Sequence, residues 1–109
     1  MVNTIKVLGQ VAPGAASQTT LYTVPALTST VCSSVVVCNR SATATSFRIA
    51  VQPGGAGLAN QHYLYYDVTI AGNDTFIATI GITLATTDLI SVYATLATLS
   101  FNLYGQEAT

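Results

Sequence analysis

The side chains that could carry out chemistry are few, and the first to consider are two cysteines and one histidine. Cys32 and Cys38 lie in a valine-rich segment, and His62 is the only histidine. A cysteine nucleophile needs a lowered thiol pKa and a base within hydrogen-bond reach. Burial among valines raises a thiol pKa instead, so we expect no cysteine catalysis. These residues also lack metal-ligand spacing, and we expect no metal and no other cofactor.

The two cysteines are expected to stay reduced. On one extended strand, Cys32 and Cys38 would stand about 20 Å apart at ~3.3 Å per residue. A disulfide requires Cα atoms about 4.4–6.8 Å apart. The spacing therefore predicts two free thiols that pack as small hydrophobic side chains.

The acidic residues and the glycine-rich segment do not indicate an enzyme either. The four carboxylates occur singly, at strand ends and in turns: Asp67, Asp74, Asp88 and Glu107. General acid–base catalysis by carboxylates uses positioned pairs, and no pair is indicated. Residues 53–57 (Pro-Gly-Gly-Ala-Gly) lack the Gly-Lys-Ser/Thr ending and the following helix of a phosphate-binding loop, so they predict a flexible connection. We expect a protein without enzymatic activity.

The composition excludes several classes of partner. Hydrophobic residues make up 50% of the 109 residues, charged residues make up 6%, and the net charge is −1. Soluble domains are about 25% charged. Nucleic-acid binding needs clustered Lys and Arg, and a membrane helix needs ~18 consecutive apolar residues; neither is present. The N-terminal residues lack the basic start and apolar core of a secretion signal, so we expect synthesis in a cytosol.

The shortage of charge also predicts association. A small protein with few surface charges is poorly protected against self-association. Such a surface is typical of a chain that is covered by partners. The alternative is a monomer whose surface is rich in threonine and serine.

Hydrophobic residues alternate with a period of two, which predicts strands. Eight are predicted, at residues 3–8, 19–24, 30–39, 45–51, 62–70, 74–82, 88–96 and 98–105. We therefore expect one all-β domain over residues 1–109, an antiparallel sandwich of about eight strands that is Ig-like or jelly-roll-like. A helix over residues 56–66 is disfavoured by Gly57 and three tyrosines. Residues 1–8 are expected to form a strand in their own sheet; the alternative is an arm that pairs with a neighbouring chain.

Tyrosine and arginine supply the candidate contact residues. Tyr63, Tyr65, Tyr93 and Tyr104 are predicted to point away from the core, and tyrosine is enriched in protein interfaces. Arg48, in an otherwise apolar alternating strand, and Arg40 complete the set; an outward arginine can pair with a carboxylate of a partner. The alternatives are ordinary cross-strand tyrosine pairs and a platform on which sugars stack.

Five segments resemble small all-β proteins encoded among the virion genes of tailed phages. They are residues 21–25 (Leu-Tyr-Thr-Val-Pro), 37–40 (Val-Cys-Asn-Arg), 47–51 (Phe-Arg-Ile-Ala-Val), 62–67 (His-Tyr-Leu-Tyr-Tyr-Asp) and 73–76 (Asn-Asp-Thr-Phe). The likeness spans residues 5–105. It implies a non-enzymatic sandwich that is present in many copies in the virion after synthesis in the host cytoplasm.

Within that class the chain looks most like a capsid decoration, or cement, protein that binds and stabilises the head shell. The implied partners are the major capsid protein or other virion proteins. We expect a homo-oligomer, since closed symmetric oligomers are the commonest kind, and virion symmetry favours a trimer. The alternative is a tail or baseplate accessory or fibre module that binds carbohydrate on the host surface.

Overall fold

Alternating apolar and polar side chains form nine antiparallel strands and no α-helix in the computed structural model, which describes residues 2–109. The strands are β1 (Asn3–Val11), β2 (Thr19–Thr23), β3 (Ser29–Asn39), β4 (Thr45–Gln52), β5 (Tyr63–Ile70), β6 (Thr75–Ala78), β7 (Ile82–Leu84), β8 (Leu89–Ala94) and β9 (Leu99–Ala108). Single 3₁₀ turns occupy Pro53–Gly55 and Asn60–His62. The all-β prediction is confirmed, and the helix considered over residues 56–66 is absent.

Two sheets form a sandwich. Sheet A has the order β1-β9-β3-β6, and β7 also pairs with β3; sheet B has the order β2-β8-β4-β5. Residues 3–8 thus belong to a strand of their own sheet, as expected, while Met1 lies outside the described residues. The sandwich prediction is confirmed, with nine strands in place of eight.

The ninth strand arises because the predicted strand at residues 74–82 is interrupted. Gly81 has φ +55°, a left-handed conformation that glycine adopts without steric cost and that ends a regular strand. The part before the break, β6, pairs with residues 35–38 of β3, and the part after it, β7, pairs with residues 30–32.

The connectivity is that of one long hairpin rolled into a sandwich. Strands pair symmetrically about the middle of the chain: β1 with β9, β2 with β8, β3 with β6 and β7, and β4 with β5. Rolling adds the pairs β3 with β9 and β4 with β8. When β6 and β7 count as one interrupted strand, these are the eight strands of a jelly roll.

Aromatic rings join the two sheets at the centre of the core. Phe47 of sheet B is fully buried, and its ring centroid lies 5.2 Å from Phe76 and 6.1 Å from Phe101, both of sheet A. Tyr65 packs against Phe47 at 6.5 Å and against Phe76 at 5.4 Å. Aliphatic residues of both sheets fill the rest of the core, including Val35, Val37, Ile49, Val92, Leu99 and Leu103.

Loops at one end of the sandwich are fixed by a buried amide. Asn39 donates from Nδ2 to the carbonyl oxygens of Thr43 at 2.8 Å and Ala71 at 3.2 Å. Its Oδ1 accepts from the Ser41 N–H at 3.1 Å. At the other end Asp88 accepts from the N–H groups of Gly54 and Ala85. These side chains replace the strand hydrogen bonds that the turning backbone loses.

Phe47→Ala should lower the free energy of unfolding by about 3–5 kcal/mol, because it removes the ring that contacts aromatic residues of both sheets. Leu27→Ala is the matched control: Leu27 is 91% exposed, and its truncation should cost less than about 1 kcal/mol. Denaturant unfolding followed by circular dichroism measures both. Equal losses for the two variants would contradict the assignment of Phe47 as the centre of the core.

Candidate interaction surfaces

The outer surface of sheet B carries a compact cluster of aromatic and charged side chains around Arg48. The Arg48 Cζ lies 4.3 Å from the ring centroid of Tyr66 and 4.4 Å from that of Tyr93. Arg48 Nε donates to Asp67 Oδ1 at 2.6 Å, and Nη2 donates to Oδ2 at 3.4 Å. We call Arg48, Tyr66, Asp67 and Tyr93 the Arg48 cluster.

A β-bulge in β5 assembles this cluster. Arg48 is paired with Tyr93 across β4 and β8, so both side chains share the outer surface. In β5 the register shifts between the pairs Phe47–Val68 and Ile49–Tyr65, and Asp67 has φ +51°. The extra residue of a bulge lets two consecutive side chains reach the same side of the sheet. Tyr66 and Asp67 therefore both reach Arg48.

The cluster neutralises its own charge and leaves an aromatic surface. The hydrogen bond from Arg48 to Asp67 raises the pKa of the guanidinium above its usual range, and the Asp67 carboxyl group in contact with it opposes the positive charge of Arg48. Stacking of an arginine on aromatic rings contributes about 0.5–1 kcal/mol at exposed sites. Tyr66 is still 57% exposed. A flat ring held rigid beside hydrogen-bonding groups can stack against a planar or ring-shaped ligand.

The outer surface of sheet A is apolar and uncharged, and we call it the uncharged face. Its exposed aliphatic residues include Ile5 at 84%, Ile77 at 67%, and Val7 and Val31 at 46% each. The strand pairing places polar but neutral residues beside them on the same surface, including Asn102, Gln106 and Thr83. Every charged side chain of the described residues lies elsewhere, in turns, on sheet B or on the inner side of sheet A.

A shallow groove crosses one end of the uncharged face. Residues 5–7 of β1 form one wall, Val31 and Ser33 of β3 form the other, and residues 104–106 of β9 lie between them. Lys6 is the one charged residue in this lining, and its ammonium group is bound to Glu107. Register shifts at Val7/Gly9 and at Cys32/Ser34 flank this part of β9. The groove is open to solvent and is lined mainly by carbon atoms, which suits the apolar side chains of a partner protein.

A polar network closes the inner side of sheet A beneath that groove. Tyr22 Oη donates to Glu107 Oε2 at 2.5 Å and lies 2.8 Å from Thr30 Oγ1. Lys6 Nζ donates to Glu107 Oε1 at 3.1 Å. The hydrogen bond from Tyr22 lowers the pKa of Glu107 below its ordinary value, burial opposes this, and Lys6 adds to the lowering. Burial raises the pKa of Tyr22 well above 10.

The predicted contact residues fall in separate places. Tyr93 and Arg48 meet in the Arg48 cluster, and Tyr63 lies beside it, its ring centroid 4.9 Å from that of Tyr66. Tyr104 lies on the uncharged face. Arg40 donates to the carbonyl oxygens of Ala97 at 3.3 Å and Leu99 at 3.4 Å, so it fixes a loop instead of facing outward alone.

The predicted outward orientation of Tyr65 is wrong. Tyr65 packs inward against Phe47 and Phe76, and Tyr66, which strict alternation places on the side opposite Tyr65, points outward to Arg48. The reason is the bulge, which shifts the alternation by one residue within β5. The sequence signal that could have found it is the aspartate in mid-strand, since Asp tolerates a left-handed backbone better than most residues.

The residues first considered for chemistry are held in structural contacts. Cys32 is fully buried, Cys38 is half-buried, and both are free, as predicted. Desolvation raises the pKa of Cys32 to about 11. His62 Nδ1 accepts from the Ala59 N–H at 3.0 Å within a 3₁₀ turn. Within residues 2–109 no three His, Cys, Asp or Glu side chains converge on one point.

Neither the protein-family models nor the curated proteins give a match to this chain. In the described part of the chain, no helix is long and apolar enough to span a membrane. The two outer sheet surfaces are therefore the features from which a function can be argued.

The Glu107 network should make stability depend on pH. The lowered folded-state pKa means that ionised Glu107 stabilises the fold above about pH 4.5, and this contribution is lost as the pH falls through the lowered value. Between about pH 5 and about pH 3, the wild type should therefore lose more free energy of unfolding than Glu107→Gln.

Urea unfolding at several pH values measures this difference. Tyr22→Phe keeps the carboxylate but removes its strongest hydrogen-bond donor, so its pH dependence should be intermediate. Parallel stability curves for the wild type and Glu107→Gln would contradict the network.

Proposed function

We propose that this protein is a virion structural component that decorates the head shell of a tailed phage. It binds the major capsid protein through the uncharged face, is present in many copies and performs no reaction. The observation that carries the proposal is this surface of exposed aliphatic and neutral polar side chains, with Ile5 and Ile77 near its two edges.

The chemistry of the uncharged face suits permanent coverage by another protein. Aliphatic side chains exposed on a sheet gain free energy when a partner removes them from water. Charged groups would oppose this, since burying a charge costs free energy unless it is paired. The uncharged face has no such cost. Large exposed apolar patches mark protein interaction sites.

The size of the face is adequate for a specific contact. Four strands spaced ~4.8 Å apart, each with about ten residues at ~3.3 Å, cover about 600 Å² in projection. Because side chains project from the sheet, the solvent-accessible area of the face is larger than this projected area. A stable interface buries about 800 Å² on each partner. When many copies bind one shell, the free energy of a modest interface is gained once for each copy.

Fold and resemblance support the same assignment. Jelly rolls occur in viral capsid and lectin domains, although a fold alone does not fix a function. The five segments that resemble tailed-phage virion proteins lie in or beside the strands of this jelly roll.

Immunogold labelling of virions of the phage that encodes the protein tests the location, and gold is expected on the heads. Ile77→Asp should reduce binding of purified protein to heads that lack it at least tenfold, because it places a charge in the contact. Thr69→Asp, at an exposed position of edge strand β5 on sheet B, is the matched control and should bind like the wild type. Absence of label from virions, or normal head binding by Ile77→Asp, would contradict the proposal.

A second candidate function follows from the Arg48 cluster: a tail or baseplate module that binds host-surface carbohydrate. The exposed Tyr66 ring supports this candidate, because it is held rigid by Arg48 and Tyr63. Sugar rings stack on such platforms, and Asp67 and Arg48 stand beside it as hydrogen-bonding groups.

Binding to a glycan array distinguishes the second candidate. Tyr66→Ala should reduce retention at least tenfold, whereas Tyr66→Phe keeps the ring and should retain binding. Gold on tails together with this pattern would replace the head assignment. Failure of the wild type to bind any glycan would remove the carbohydrate function.

A further inference from the structure

The first half of β1 is an unpaired sheet edge. β1 is the outermost strand of sheet A and pairs only with β9 among the described strands. Near Gly9 the edge is covered, since the backbone there lies against Leu21 of β2. Residues 3–7 lie before this point and are all exposed. The free edge is therefore five residues long.

The hydrogen-bond pattern shows which backbone groups this edge presents. Val2 and Thr109 exchange two main-chain hydrogen bonds, at 2.8 and 2.9 Å. In an antiparallel ladder such pairs alternate with pairs that exchange none. Thr4 and Lys6, paired with Glu107 and Gly105, therefore direct their N–H and C=O groups toward β9. Residues 3, 5 and 7 direct theirs toward solvent.

The edge lacks the usual protection against pairing. Exposed edge strands are guarded by outward charges, prolines or bulges. Residues 3–7 contain no proline, and the register shift in β1 comes only after Val7. Their one charge, Lys6, is bound to Glu107 on the inner side of the sheet.

We propose that this edge pairs with the same segment of a second copy of the chain, antiparallel about a two-fold axis at Ile5. In this register Ile5 lies opposite Ile5 of the second copy, and Asn3 lies opposite its Val7. Lys6 then faces Thr4. A two-fold axis at Lys6 would oppose two like charges, which is unfavourable. The self-complementary edge makes the second copy the fitting partner.

The pairing joins two copies of sheet A into one continuous sheet. The grooves formed by Ile5, Val7, Val31 and Tyr104 of each copy then lie on the same surface on either side of the axis. The inference needs only the β1 edge, so it holds whether or not the protein belongs to a virion. It predicts a dimer, whereas virion symmetry favours a trimer.

Sedimentation equilibrium at micromolar concentration tests the assembly and should give twice the chain mass of 11.3 kDa. Ile5→Pro removes an N–H that points to the free edge and not to β9, so it should give monomers with unchanged circular dichroism. Its thermal unfolding should no longer depend on protein concentration, because the wild type gains stability from association and the variant does not. Ile5→Val keeps the donor and should remain dimeric. A monomeric or trimeric wild type, or a dimeric and folded Ile5→Pro, would overturn the proposal.

Crosslinking tests the register without disturbing the fold. In a Cys38→Ser background, Ile5→Cys should form an intermolecular disulfide under mild oxidation, because paired residues on the axis have Cα atoms about 5.5 Å apart. Lys6→Cys is the control: its side chain lies on the inner side, opposite Thr4 of the second copy, and it should remain monomeric on denaturing gels. Equal crosslinking of both variants, or none by Ile5→Cys, would overturn the two-fold axis.

Discussion

The structure depends on strand pairing that is symmetric about the middle of the chain and on a cluster of aromatic rings that joins the two sheets. β4 and β5 pair next to the central loop, and β1 and β9 pair at the chain ends. Phe47 brings the two sheets together through Phe76 and Phe101. Because the sandwich has two outer surfaces, this arrangement separates the uncharged face from the Arg48 cluster. Each surface can then serve a different partner.

The few charges of this protein are placed in specific contacts. Arg48 and Asp67 compensate each other beneath Tyr66, and Lys6 binds Glu107. Arg40 and Asp88 hold loops through backbone groups. Nothing charged is left over for the outer surface of sheet A within the described chain. The low charge content is thus part of the architecture, and it produces an apolar surface without losing the ion pairs that fix strand ends and turns.

Period-two alternation was sufficient to predict the class of fold, because buried strands need apolar residues at every second position. Within the predicted strand at residues 45–51, Phe47 and Ile49 are two residues apart and share one side, and both are buried. The alternation failed at Tyr65, since a bulge at Asp67 depends on pairing with β4 and leaves only a weak local signal. Ile5 and Val7 alternate like core residues yet lie outside, because which face is covered is decided by distant strands. Arg48 and Tyr93 were predicted as outward contact residues, whereas Tyr66 and Asp67 were missed because the bulge in β5 turns both toward Arg48.

The symmetric pairing also governs how the chain can fold during synthesis. The earliest strands, β1 and β2, have partners near the other end of the chain, in β9 and β8. Translation proceeds at about 5–20 residues per second, so the N-terminal strands must wait until β8 and β9 have left the ribosome before their ladders close. β4 and β5 can close first, because only the central loop at residues 53–62 separates them along the chain. Contacts between residues far apart in sequence slow folding, so the apolar side chains of the N-terminal strands stay exposed during that interval.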